Sequence, residues 1–290
     1  FLGFSGLFDL GNEADRFIGK MRCFGYSLGG VSLFYDEAGD STYNAESLCF
    51  GAGELGMAIF VDGGGDDRYE SLTESQGYGG IGGFGFLLDV RGNDRYIASP
   101  TPVIHPSAQI PTQNFSASQG FGTGRFGPNL DGVSFPGGIG ILQDRSGNDF
   151  YEASVFAQGS GYGYGIGILA DHDGKDIYHS SWYALGSAAH QGCGIFFDYD
   201  GDDEYVTSYY MMGGTGTDFS LGVFNDLAGN DTYRARNASL GYGLTNSMGL
   251  FIDHGGEDRY SIQEGTGLGQ AHNALQDSFR GLWPTWGCFF

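Results

Sequence analysis

Nine aspartates recur at nearly constant spacing and dominate the chemistry this sequence can carry. Asp9, Asp36, Asp62, Asp89, Asp144, Asp171, Asp198, Asp226 and Asp253 are separated by 27, 26, 27, 55, 27, 27, 28 and 27 residues. Five positions on runs a second row: Asp67, Asp94, Asp149, Asp176, Asp203, Asp231 and Asp258. If each interval is one coil of a stacked repeat, equivalent carboxylates lie ~4.8 Å apart. Two unit charges at ~5 Å repel by about 3 kcal/mol at an effective dielectric near 20, so such rows need compensation. A hard dication supplies it, because calcium takes about six to eight oxygens from carboxylates and turn carbonyls. The alternative is that each Asp closes its own turn by accepting backbone N–H groups, with Lys175, Arg68, Arg95 and Arg259 neutralising part of the row. The candidate ligands are Asp62, Asp67, Asp89, Asp94, Asp144, Asp149, Asp171, Asp176, Asp198, Asp203, Asp226, Asp231, Asp253 and Asp258.

Other reactive side chains are sparse. Cys23 and Cys49 stand 26 residues apart, one repeat, which places them on adjacent coils at a spacing that suits a disulfide; the alternative is two buried thiols. Cys193 and Cys288 have no such relation, and no Cys-x-x-Cys occurs. The six histidines form no His-x-x-x-His pair, and neither a Gly-x-Ser-x-Gly elbow nor a P-loop is present. A residue repeated in every coil is structural by default, whereas catalysis needs one odd site. The odd polar residues Asp131 and Arg125 fall in the long interval.

The elements that hold these residues follow from the repeat. Asp89-Val-Arg-Gly92-Asn93-Asp94-Arg-Tyr96 recurs as Asp144-Arg-Ser-Gly147-Asn148-Asp149-Phe-Tyr151 and as Asp226-Leu-Ala-Gly229-Asn230-Asp231-Thr-Tyr233. A Gly corner such as Gln76-Gly77 or Gln158-Gly159 follows about seven residues after the Tyr, and a strand then leads to the next Asp. Gly interrupts the strand-like runs and costs a helix about 1 kcal/mol each, so a helical repeat is excluded. The pattern predicts an all-β parallel β-solenoid of about nine coils, with three short strands per coil and a tyrosine ladder filling the core. The solenoid is expected over residues 1–263, and 264–290 reads as a cap or a linking segment. The 55-residue interval holds insertion loops at about 98–136, where Pro100, Pro102, Pro106, Pro111, Pro128 and Pro136 cluster.

The turn resembles a known family. Gly65-Asp66-Asp67-Arg68-Tyr69, Gly92–Tyr96, Gly147–Tyr151, Gly201–Tyr205 and Gly229–Tyr233 are similar to the second half of the RTX nonapeptide, Gly-Gly-x-Gly-x-Asp-x-(apolar)-x. Gly63 to Tyr69 comes closest to the full signature. The resemblance covers about six residues per coil, an Asp usually replaces the leading Gly-Gly, and the motif occurs once per coil rather than in tandem. It implies calcium held between coils of a parallel β-roll.

The strand before each anchor carries large apolar residues five and three positions ahead of the Asp, such as Phe84 and Phe86 or Ile166 and Ile168. Small residues precede and separate them, and Leu or Phe sits two positions ahead. Strict alternation leaves both faces apolar, which predicts a side covered by a partner, another copy or an inserted loop. A bulge that turns every large residue inward is the alternative. A net charge of −22, from 13 basic and 35 acidic residues, opposes nucleic-acid binding and docking on anionic membranes. Without an apolar run of transmembrane length, no membrane insertion is expected. The sequence therefore reads as a non-enzymatic structural or adhesive solenoid, secreted or at the cell surface, and a subunit of a larger assembly with a protein partner or self-association along its face. The second reading is a carbohydrate-active β-helix that uses the 98–136 insertion to bind a glycan.

Overall fold

A computed structural model describes residues 3–127, 130–273 and 279–290 of the chain, so Pro128 and part of the C-terminal segment lie outside the described residues. The chain is an all-β parallel solenoid with a repeat of about 27 residues. Its first sheet has ten strands, running from Phe4–Asp9 and Val31–Asp36 through Phe84–Asp89, Ile139–Gln143 and Met248–Asp253 to Trp286–Phe289. All are parallel and in register, so Asp36 pairs with Asp62 and Asp62 with Asp89, and later Asp171 pairs with Asp198 and Asp198 with Asp226. The tenth strand exceeds the nine coils read from the motif, because Trp286–Phe289 joins the sheet without an anchor Asp.

A second sheet carries the tyrosines in the same register, from Tyr43 against Tyr69 to Tyr233 against Tyr260. The third side is a column of very short strands, such as Ala52–Glu54, Gly161–Tyr162 and Gly216–Thr217. Phe84 pairs with Ile139 and Tyr96 with Tyr151, so the 55-residue interval is a single enlarged coil. Its extra residues leave the stack between Arg95–Ala98 and Phe115–Ser118, and again between Gly122–Thr123 and Ile139–Gln143.

The eight inner strands of the first sheet, from Val31–Asp36 to Met248–Asp253, alternate without a bulge. In Phe84–Asp89 the side chains of Phe84, Phe86 and Leu88 are half-exposed, whereas Gly85, Leu87 and Asp89 are buried. Inside, the residue two before each anchor forms one stack, with ring centroids 4.3 Å apart for Phe34–Phe60 and 4.7 Å for Phe224–Phe251. The tyrosines form a second, with spacings of 4.8 Å for Tyr43–Tyr69 and 4.6 Å for Tyr151–Tyr178. Both match the strand spacing, so in-register β pairing and aromatic stacking reinforce each other.

The small residues have a different cause. The third column packs its backbone directly on the first sheet, and a Cβ on Gly140 would overlap the carbonyls of Phe121 and Gly77. Corners turn through two consecutive left-handed residues, as in Gln76 (φ 55°) with Gly77 (φ 77°) and Gln158 (φ 54°) with Gly159 (φ 74°). Glycine takes the second place because its position also lies against a neighbouring carbonyl, Ile141 O for Gly77 and Ile195 O for Gly159. Cys23 and Cys49 are register partners with the Cys23 amide 3.2 Å from Cys49 Sγ, and both are free thiols.

Candidate metal centre

The anchor aspartates end the strands of the first sheet and point inward, where the tyrosines of the second sheet meet them. Some anchors close the turn locally through Oδ1, accepting N–H groups two residues on: Gly64 to Asp62 at 3.0 Å and Ser146 to Asp144 at 3.0 Å; in Asp36, Asp171, Asp198 and Asp226 this oxygen is buried without a hydrogen-bond partner among the described residues. Their Oδ2 atoms face the phenols. Tyr43 Oη lies 2.5 Å from Asp36 Oδ2 and 2.7 Å from Asp62 Oδ2, and Tyr178 Oη lies 3.1 Å from both Asp171 and Asp198. The phenol therefore bridges two coils, beyond the core-filling role read for it. The constant seven-residue offset from anchor Asp to Tyr was the sequence signal of that pairing.

The second row does something else. Asp94 Oδ1 accepts the N–H of Asp67 at 2.6 Å, and Asp149 accepts from Asp94 and Asp176 from Asp149 at the same distance. Each carboxylate thus ties its coil to the preceding one. The other oxygen, Oδ2, is buried and, among the described residues, without a hydrogen-bond partner in Asp67, Asp94, Asp149, Asp176 and Asp231. Glycines let these turns stack closely: a Cβ on Gly92 or Gly147 would overlap the carbonyl of the turn before.

Together the rows form buried carboxylate triads between coils. Asp62, Asp67 and Asp89 present oxygens within 4.8 Å of one another, as do Asp89, Asp94 and Asp144, then Asp144, Asp149 and Asp171. Further along, Asp176, Asp198 and Asp203 form such a group, and so do Asp203, Asp226 and Asp231. Asp253 and Asp258 lie in the last acidic turn and are half-buried. The basic residues beside the turns do not neutralise the triads. Arg68 pairs with Glu70, Arg95 lies over the Phe150 ring at 4.5 Å, and Lys175 and Arg259 are exposed.

Burial pushes these carboxyls up. Asp226 rises to about 7 and Asp231 to about 8, desolvation being the largest cause in each. Asp89 and Asp144 are pushed well above the ordinary carboxylate range, with desolvation first and the neighbouring anchor carboxylate second. Donor counting agrees. The run Asp36–Tyr43–Asp62–Tyr69–Asp89 has four oxygen–oxygen contacts of 2.5 to 2.9 Å, but its two phenols supply only two protons. The remaining contacts need protons on the carboxyls or a cation among them. The orphaned Oδ2 atoms, the hard-oxygen donor set and its repetition fit a hard dication.

Compared with protein families, curated proteins and solved structures, the chain matches none of them.

The insertion builds a separate feature. Its first loop walls a cavity of about 540 Å³ lined by Thr73, Glu74, His105, Phe115, Phe156 and Tyr162. Burial raises the Glu74 carboxyl, and His105 Nε2 lies 3.2 Å from Glu46 Oε1. Sequence reading did not single out Glu74, which belongs to no motif. Asp131 and Arg125, the odd residues of the long interval, pair with each other at 2.8 Å on the surface. His172 stacks on Tyr199 at 4.4 Å.

Proposed function

We propose that this chain is a non-enzymatic structural solenoid, a subunit of a larger extracellular or cell-surface assembly, whose coils are locked together by calcium ions in the acidic turns. One observation carries the reading: among the described residues, buried carboxylate triads recur between successive coils with oxygens that no protein group satisfies. An enzyme needs one distinctive site, whereas this chemistry repeats along the stack. An ion among Asp89, Asp94 and Asp144 would be held by carboxylates of two coils, so binding it is the same event as stacking those coils. One dication per coil would balance one anchor and one second-row carboxylate. The RTX resemblance of the turns supports calcium as the ion, and sites of extracellular modules work at its high outside concentration.

Equilibrium dialysis of EDTA-stripped protein against calcium tests this. Several ions per chain are expected, with protons released as they bind and fewer ions bound by Asp94→Asn/Asp149→Asn. No uptake at millimolar calcium would mean that protons alone neutralise the triads.

A second reading, glycan binding, is favoured by the cavity beside the insertion, where aromatic walls of Phe115, Phe156 and Tyr162 meet the polar Glu74 and His105. Sugar faces pack on such rings while carboxylates take their hydroxyls.

A further inference from the structure

The outer face of the first sheet stands apart from the rest of this strongly acidic molecule. Its outward positions lie five, three and one residues before each anchor, and none from Phe4–Asp9 to Trp286–Phe289 carries a charged side chain. Gln143 and Asn225 bear its only amides. The second sheet shows the opposite on its outer side, where Arg68, Glu70, Arg95, Glu204 and Arg234 point to solvent. The uncharged columns remain accessible: Val31, Met57 and Met248 are 39%, 41% and 39% exposed.

We propose that this face is a self-association surface, on which a second copy of the chain packs its own first sheet. The proposal rests on the reading of the chain as an assembly subunit and names the partner. Ten strands at ~4.8 Å and six residues at ~3.3 Å make a face of roughly 950 Å². That matches the ~800 Å² per partner of a stable interface and exceeds the ~300–600 Å² apolar patch usual on a monomer. A second copy fits because the face is corrugated with the strand spacing, a period that another in-register parallel stack shares. One two-fold axis then makes the surface complementary to itself, with side chains of the two sheets interdigitating at ~10 Å separation. Two chains of net charge −22 can approach here because the face itself contributes no charge.

The test is the mass of the full chain by light scattering over a range of concentrations, with and without calcium. Wild type is expected as a dimer, and Ile168→Lys, central on the face, as a monomer with unchanged circular dichroism and an association ~30-fold weaker or more. Val223→Lys provides an independent second variant, and Arg95→Ala on the other sheet is expected to leave the dimer intact. A wild type that stays monomeric throughout, with or without a different protein bound to the face, overturns the proposal, as does a dimer indifferent to both lysines. The calcium count from dialysis reads the acidic turns separately, so a monomer that binds calcium overturns the dimer alone.

Discussion

In EDTA the protein is expected to melt at a higher temperature at pH 5 than at pH 8. Buried carboxyls cause this unusual direction. Asp226 and Asp231 are raised to about 7 and about 8, whereas in the unfolded chain they ionise near the ordinary ~3.9. Between those values the folded chain binds more protons than the unfolded one, so stability falls as pH rises. The contribution is complete below ~3.9 and lost once pH passes the folded values, near 7 to 8. For Asp226 alone, about two of the three pH units between those values fall within the pH 5 to 8 window, corresponding to ~3 kcal/mol, or a melting shift on the order of 5–10 °C. Calcium should reverse the sign, because an ion needs the same oxygens ionised and acid expels it. Thermal melts across pH 4.5 to 8.5, with calcium or with EDTA, read both slopes. A flat profile in EDTA would mean that the rows are not desolvated as described.

The second large effect is expected from Gly140→Val. Gly140 sits where the first sheet and the third column pack backbone to backbone, and a Cβ there meets the carbonyls of Phe121 and Gly77. Overpacking commonly costs about 1–3 kcal/mol when side chains can give way. Here the obstructing atoms are backbone carbonyls at the corners of two stacked coils rather than flexible side chains, so the loss should reach or exceed the top of that range. Gly255→Ala is the matched control, since a Cβ at Gly255 meets nothing and its φ is not left-handed. Chemical denaturation of the two variants separates them. Equal midpoints would contradict the close packing of the two backbones.

Much of the architecture was legible because a repeat encodes what happens within one coil. The Asp-to-Asp interval fixed the coil length, and the Gly-Asn-Asp-x-Tyr string marked the turn and the strand after it. The tenth strand escaped because Trp286–Phe289 contributes only its alternation, Trp286 and Cys288 outward and Phe289 on the core stack, and has no motif. Contacts between coils were harder to see, since they exist only after stacking. Nothing in one coil shows that Asp94 reaches back to the amide of Asp67, or that Tyr178 bridges Asp171 and Asp198. The glycines were read as corners and breaks, whereas Gly140 and Gly122 answer to a neighbouring backbone distant in sequence. The cavity beside Glu74 depends on how the first insertion loop folds back, where Asn114 Oδ1 accepts the amides of Ile104 and His105. No periodicity carries that information.

The most direct test of the account is the melting temperature of the full chain at pH 8 in calcium against EDTA, with magnesium as the control for ionic strength. Carboxylate triads held by calcium predict a rise of 10 °C or more, on the order expected from several kcal/mol of coupled binding, and little response to magnesium. An unchanged melting temperature up to millimolar calcium would contradict it and leave protons, shared along the Tyr–Asp contacts, as what neutralises the core.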